Sequence, residues 1–523
     1  MSGIHSYMCL IHLICITGFL ASSGVAQAQG PTAGREIIER AAQASLPEFF
    51  ELLSIPNDAI NPEDIQKNVR WLVEAFRKRG FVTRELPNEG KPLLFAEYPA
   101  RVASAGTILF YMHLDGQPVV ADKWAQKSPW VPVVKRRIAD GRWEMVDAGR
   151  PSEAKLDRDL RVFARSASDD KGPIMMFLAA FDAMKSAGQS PAFNVKVLLD
   201  SEEEKGSPRI GVVAKAHKEI LAADAILIHD GPMHSSGRPT MIFGNRGNVT
   251  ARLTVFGPRS ELHSGHYGNY VPNPAQRLAA LLAAMKDEDG RVLVPGYYDG
   301  VRLSAAEQAT LAAVPDDEAE IRKRIGIAKP ETVGRNYQEA LQYPSLNIRG
   351  MAAAEVGNKA SNIIPSTAVA ELDLRTTPGA DPGRLLKALE AFIRGKGYHL
   401  VQNEPTDEER ATFERIAALT MFRGSSAAFT SMDSPLGAWV QSTLASTYDS
   451  GRDKAGVVRI RMMGGSVPTD KLIDALGLPF VIVPLVNPDN NQHSSNENIR
   501  IGHYIDGTRF FASLLVSPLA RTR

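Results

Sequence analysis

The sequence predicts an α/β protein, a mixed and mostly parallel sheet held between helices, with a smaller α+β unit inserted into it. Three observations carry that reading. Short apolar runs at Gly106–Met112, Phe193–Leu199, Ala225–Ile228 and Phe480–Leu485 have the make-up of strands buried on both faces. Helical patterns separate these runs, as crossover connections between parallel strands require. Finally, His113, Asp115, Asp169, Glu203, Glu204, Asp230 and His493 each fall just past a strand candidate, with Arg161–Ala164 a weaker run ahead of Asp169. Open sheets of this kind collect ligands at the carboxyl ends of their strands.

The chain begins its globular part with helix. Ile37–Leu53 and Ile65–Lys78 place apolar residues at three- and four-residue intervals. Strands and helices then alternate to about Thr240, and Lys171–Ala187 reads as an amphipathic helix stopped by Gly188. From Asn245 the period changes. Val249–Phe256 and Ala368–Leu374 alternate apolar and polar residues, as half-exposed strands do, and Pro274–Lys286 and Pro382–Arg394 read as helices. A polar helical stretch lies between them at Ser304–Ile325. These strand–helix units predict an α+β sandwich inserted at 244–430, between catalytic segments 31–243 and 431–523, with Gly424–Ser434 as a linker. The last helix is expected at Tyr504–Val516.

Residues 1–28 are different in kind. Met8–Leu20 is largely apolar and Ala26-Gln27-Ala28 forms a small-x-small cleavage site, so this segment reads as a secretory signal peptide. A secreted or periplasmic product without stable membrane association is the expectation. Both cysteines, Cys9 and Cys15, lie in that segment, so the mature chain has no thiolate and holds any transition metal through nitrogen and oxygen. With 60 Lys and Arg against 59 Asp and Glu, bulk charge does not point to nucleic acid or a membrane surface.

Several motifs carry chemistry. In His113-Leu114-Asp115 the two polar residues point to one side of an extended chain, so the carboxylate can hold one imidazole nitrogen while the other faces a metal. Asp169-Asp170 precedes a helix, where carboxylates also serve as caps. Glu202-Glu203-Glu204 follows a strand directly, and neighbouring carboxylates there can divide metal binding from proton transfer. Asp230 ends another strand, and His493 lies in the polar loop Asn487–Asn498.

The ordered set HLDGQP, ASDDKGP, EEKGS, IHDG, LHSG, GGSVP and QHSSNE resembles the M20 family of two-zinc metallopeptidases, in its carnosinase and cytosolic non-specific dipeptidase branch. The resemblance runs from about Ile37 to Val516. It implies a zinc-exopeptidase-like catalytic domain with a lid that also dimerises. It also implies that His113 and Asp230 bind one divalent ion, that Glu204 and His493 bind another, and that Asp169 bridges them. Zinc is the expected metal, with manganese or cobalt as alternatives. Asp115 would orient His113. Glu203 would be the general base, acting on a metal-bridging hydroxide, and a cis peptide is expected after Asp169. His263 would reach an active site from the lid, often the partner subunit's, and Arg375 would take the substrate's carboxylate. Asn362 and Ser466 would make weaker substrate contacts.

One position departs from the branch. Where its members often carry an acid for the substrate's amino group, this chain has Met463, and a thioether cannot neutralise an ammonium. Either another acid, such as Glu497, substitutes, or the substrate's amino side is blocked or apolar. Hydrolysis of dipeptides or short peptides with a free carboxylate is therefore the first expectation. Deacylation of N-acyl amino acids is the alternative, and a non-catalytic peptide-binding protein is the reading from another class.

Overall fold

The computed structural model describes residues 34–100, 105–146, 157–448, 456–465 and 470–519. The signal-peptide segment and Ser466 lie outside the described residues. No described helix is long and apolar enough to cross a membrane.

An eight-stranded sheet organises the larger part of the chain. Its spatial order is Val82–Leu86, Leu93–Tyr98, Asn194–Asp200, Thr107–His113, Ala225–Ile228, Phe480–Ile482, Thr240–Ile242, Val458–Ile460. The four central strands run parallel, from 194–200 to 480–482, and the flanking pairings 93–98/194–200 and 480–482/240–242 are antiparallel. Phe110, Tyr111, Val197 and Leu227 are fully buried, which is why the runs show no alternation in sequence. The weaker run, Arg161–Phe163, belongs elsewhere. It sits in a four-stranded sheet with Val133–Arg137, Trp143–Met145 and Asn498–Arg500.

Two helical expectations change in detail. The Ile37–Leu53 pattern is two helices, Arg35–Ala44 and Leu46–Leu53, broken at Ser45, whose hydroxyl turns back to the Ala42 carbonyl and meets the Tyr504 phenol. Lys171–Ser186 is not amphipathic but buried on nearly every side, because Arg35–Ala44 and the terminal helix Ile501–Val516 pack over it. That packing is close: a Cβ at Gly507 would stand 2.2 Å from Met176 Sδ.

A second, five-stranded sheet is built from residues 247–424. Its order is Ser345–Ala352, Thr367–Thr376, Gly247–Phe256, Ile416–Gly424, His399–Leu400. Buried and half-buried residues alternate strictly along 367–376. Helices Pro274–Ala283 and Pro382–Gly395 pack their apolar faces onto one side of this sheet. The chain passes between the sheets at Gly244–Asn245 and Ala428–Phe429, and these two crossings pair with each other as antiparallel strands. The Gly424–Ser434 stretch read as a linker thus contains a strand. Ser304–Ile325 is two helices, Ala305–Ala312 and Glu318–Ile325. They dock back on the larger sheet, where Arg461 donates to Glu307 (2.6 Å) and Gln342 (2.9 Å) and His234 Nε2 meets Asp316 Oδ1 at 3.0 Å.

Candidate metal centre

Parallel strand order places the ligands. His113 ends its strand opposite Asp200, with the strand leading to Asp230 on the other side. Glu203 and Glu204 lie in a single tight turn after Asp200, closed by Gly206 in a left-handed conformation (φ +79°) that suits glycine. Asp169 and His493 arrive differently. Both hang from the small sheet, where Arg161–Phe163 pairs antiparallel with Asn498–Arg500. Two sheets thus deliver one site.

His113 Nε2 lies 2.9 Å from Asp169 Oδ1 and 3.9 Å from Asp230 Oδ1. On the other side, His493 Nε2 lies 2.9 Å from Asp169 Oδ2 and 3.4 Å from Glu204 Oε2. The ligand atoms of His113, Asp169 and Asp230 fall within 4.8 Å of one another, and so do those of Asp169, Glu204 and His493. Asp169 belongs to both groups, one oxygen facing each. His493 comes close to Asp169 Oδ2 but is out of line for a hydrogen bond, leaving that buried oxygen without an aligned donor. The Asp169–Asp170 peptide is cis.

The surrounding groups orient these ligands. His113 Nδ1 is 3.1 Å from the Asp115 carbonyl and 3.4 Å from its carboxylate. The carboxylate's main partners are different: it accepts the backbone N–H of Glu203 (3.0 Å) and of Glu204 (3.1 Å). Asp115 therefore ties the His113 strand end to the turn bearing both glutamates. The Asp170 carboxylate accepts the His113 N–H at 3.1 Å. Gln117 donates to Glu204 Oε2 at 2.5 Å.

The electrostatics require positive charge. Burial, then repulsion from Asp230, Glu204 and Asp169, raises the Glu203 carboxyl well above its ordinary range. Burial and Asp169 push Glu204 up to about 7, and the same two causes push Asp230 up to about 6. Asp169 alone is lowered: burial opposes its ionisation, but the two imidazoles outweigh it. The close approach of Asp169 draws His493 up to about 9. Four carboxylates thus crowd a buried space whose opposite charges come from His113 and His493. An all-nitrogen-and-oxygen donor set with a buried Asp169 oxygen that lacks an aligned donor fits a pair of divalent cations.

The residues expected from the inserted unit are in neither ligand group. His263 is exposed on the short strand Leu262–His263, which pairs with Ile363–Ile364 beside exposed Asn362. Its Nδ1 accepts the Gly265 N–H at 3.0 Å, and its ring lies against His266. Arg375 pairs with Asp373 at 3.5 Å near the end of Thr367–Thr376. Glu497 is no substitute anchor for an ammonium. It is fully buried, and both oxygens are occupied by donors from 165–169.

The sequence profile of the Peptidase family M20/M25/M40 matches residues 109–517. The chain belongs to this family. A Cys-Gly metallodipeptidase of Schizosaccharomyces pombe is 25% identical over 436 residues, covering 81% of this chain and 82% of its own. Human Beta-Ala-His dipeptidase is 27% identical over 445 residues, covering 81% and 77%. Among solved structures, an M20 family metallo-carboxypeptidase of Sulfolobus solfataricus superposes with a TM-score of 0.67 at 25% identity, covering 90% of this chain and 98% of its own. This M20 chain is a metallopeptidase with the catalytic-plus-lid architecture of its family, and its two ligand groups are a candidate metal centre in a family that binds two metals.

Sequence reasoning missed Gln117, Arg165 and Asp200 as site residues. Asp200 accepts the Tyr111 phenol (2.9 Å), the Ser207 hydroxyl and the Glu202 N–H (3.0 Å), fixing both ends of the glutamate turn. An acid closing a buried strand was the available signal. It was eclipsed by the three glutamates beside it.

Proposed function

We propose that this M20 enzyme hydrolyses the amide bond of dipeptides or short peptides that end in a free carboxylate. The observation that carries the reading is the Asp169 carboxylate, buried between two ligand groups with one oxygen given to each. His113 and Asp230 would hold one ion, and Glu204 and His493 the other. When bound, two such ions polarise the scissile carbonyl and make a shared water acidic. Zinc suits this donor set, as do manganese and cobalt.

Glu203 supplies the proton transfers. As the carboxylate, Glu203 takes a proton from the attacking water as the new C–O bond forms, then returns it to the leaving nitrogen as the C–N bond breaks. Asp115 holds Glu203 in place through the backbone. From the lid, His263 would stabilise the oxyanion, Arg375 would clamp the substrate's carboxylate, and Asn362 and Ser466 would add contacts. A homodimer through the lid, with His263 acting across it, and export by the N-terminal segment complete the proposal.

A second reading, deacylation of N-acyl amino acids, has its own support. Met463 and fully buried Met462 border a cavity of about 440 Å³ that Ile321, Tyr337 and Leu341 line together with the acids Asp316, Asp317 and Glu320, so the support is the thioether at 463 and not an apolar pocket. With Glu497 buried, the expected acid at the amino side has no replacement from that residue. The decisive experiment is Glu203→Gln beside wild type, with metal content and turnover of matched dipeptides and N-acyl amino acids measured together. Two ions retained and kcat lowered by about 10²–10⁴-fold is the expected result. Near-normal kcat in that variant would remove Glu203 as the base, and faster turnover of the N-acyl series would select the second reading.

A further inference from the structure

Glu497 is the most heavily bonded carboxylate near the site, yet its bonds go to backbone and to side chains outside the two ligand groups, not to any ligand atom. Its Oε1 accepts the Ser168 N–H (2.9 Å), the Ser168 hydroxyl (2.9 Å) and the Asp169 N–H (3.0 Å). Its Oε2 accepts the Ser166 N–H (3.0 Å) and Arg165 Nη1 (2.7 Å). Its backbone carbonyl takes the Ala164 N–H at 3.2 Å. Every donor comes from 164–169, the six residues that deliver the bridging aspartate. Glu497 itself lies four residues beyond His493, the ligand that meets Asp169 from the opposite side.

We infer that Glu497 is the positioning residue of the dinuclear centre, its carboxylate fixing the Asp169 segment against the His493 loop, an inference that rests on Asp169 being the bridging ligand. Both partners need such an anchor. Ser166 and His493 are held at φ +61°, and Asn496 at +62°, in the left-handed region that residues other than glycine enter at a cost. The Ser166 N–H is turned onto Glu497 in that conformation. Arg165 extends the link, since its Nη2 donates to the Pro118 carbonyl (3.3 Å), next to the Gln117 that holds Glu204. One carboxylate thus joins segments more than three hundred residues apart that carry ligands of both ions. A buried carboxylate so fully engaged has no lone pair left for substrate, so its effect must pass through Asp169.

The test uses the full chain loaded with cobalt, with affinity measured by chelator competition, coordination by the visible cobalt spectrum, and fold by near-ultraviolet circular dichroism of the metal-free protein. Glu497→Gln turns an NH₂ against N–H donors and should weaken metal binding about 10–100-fold, with an altered cobalt spectrum. Ser168→Ala removes one donor without introducing a repulsion, and should shift affinity in the same direction by less. Should Glu497→Gln fail to fold, Ser168→Ala decides. Folded variants that keep wild-type affinity for both ions and an unchanged spectrum overturn the inference. A wild-type chain that takes fewer than two ions would instead overturn the dinuclear reading beneath it.

Discussion

The eight-stranded and five-stranded sheets are made by the same alternation of strands and helices, but they hold their functional residues in opposite ways. In the larger sheet Tyr111, Leu199 and Ile228 are fully buried just behind the ligands, so His113, Glu204 and Asp230 stand on a close-packed base. In the smaller sheet one face is covered by helices, while Ile348, Met351, Met421 and Phe422 remain exposed. Beside it His263 sits on a separate two-stranded sheet, Leu262–His263 with Ile363–Ile364, and exposed Asn362 just precedes its second strand. One half presents its candidate ligands from a packed base; the other leaves an apolar face exposed. Each prediction below challenges that division.

The largest expected effect concerns pH and belongs to the catalytic half alone. A metal needs its ligands deprotonated. In the metal-free protein His493 keeps its proton up to about 9, Glu204 up to about 7 and Asp230 up to about 6. Affinity should therefore rise with pH. Between pH 7 and 9 the proton on His493 must leave, worth about tenfold per pH unit or roughly a hundredfold across the window. His113 adds to that slope, which should steepen below 7: burial opposes its proton, but Asp115 and Asp169 hold it above its ordinary value. Chelator competition with proton-release calorimetry measures this directly. A flat affinity between pH 7 and 9 would mean that Asp169 does not hold the His493 proton in the metal-free protein.

Arg375→Ala should be smaller and confined to the lid. Losing a charge-assisted contact costs about 1.5–3 kcal/mol, which raises KM roughly ten- to a hundredfold for substrates with a free carboxylate. Amidated substrates and metal affinity should hardly change. Equal losses on both substrate types would show that Arg375 acts on the fold of the lid instead.

The division also explains what the sequence revealed. Buried parallel strands read as unbroken apolar runs, so the strand-end positions of His113, Glu203, Glu204 and Asp230 were legible from local pattern alone. Strict alternation likewise exposed the 367–376 strand. Asp169 was harder: its strand, Arg161–Phe163, is three residues long and pairs with Asn498–Arg500, a partner no local pattern announces. Glu497 was misjudged for the same reason. An acid in a polar loop reads as exposed, and only tertiary pairing shows five donors closing around it. The solid burial of Lys171–Ser186 was hidden because its outer face is covered by helices distant in the chain.

The smallest effect on stability should come from the bare side of the lid, and it tests whether that side stays bare. Ser345–Ala352 is an edge strand with Ile348 43% and Met351 55% exposed. An exposed edge carrying apolar side chains is an adhesive that proteins normally cover or blunt. Replacing both residues with glutamate should change the unfolding free energy by no more than about 0.5 kcal/mol, as surface substitutions usually do. If two chains meet along this strand, the same change should halve the mass seen by light scattering. It should also abolish the activity recovered by mixing His263→Ala and Glu203→Ala subunits, because recovery needs one chain's His263 over the other's metal centre. A wild-type monomer with full activity would place His263 and the metals in one chain, and the two sheets would then have to approach each other by bending at the Gly244–Asn245 and Ala428–Phe429 crossing.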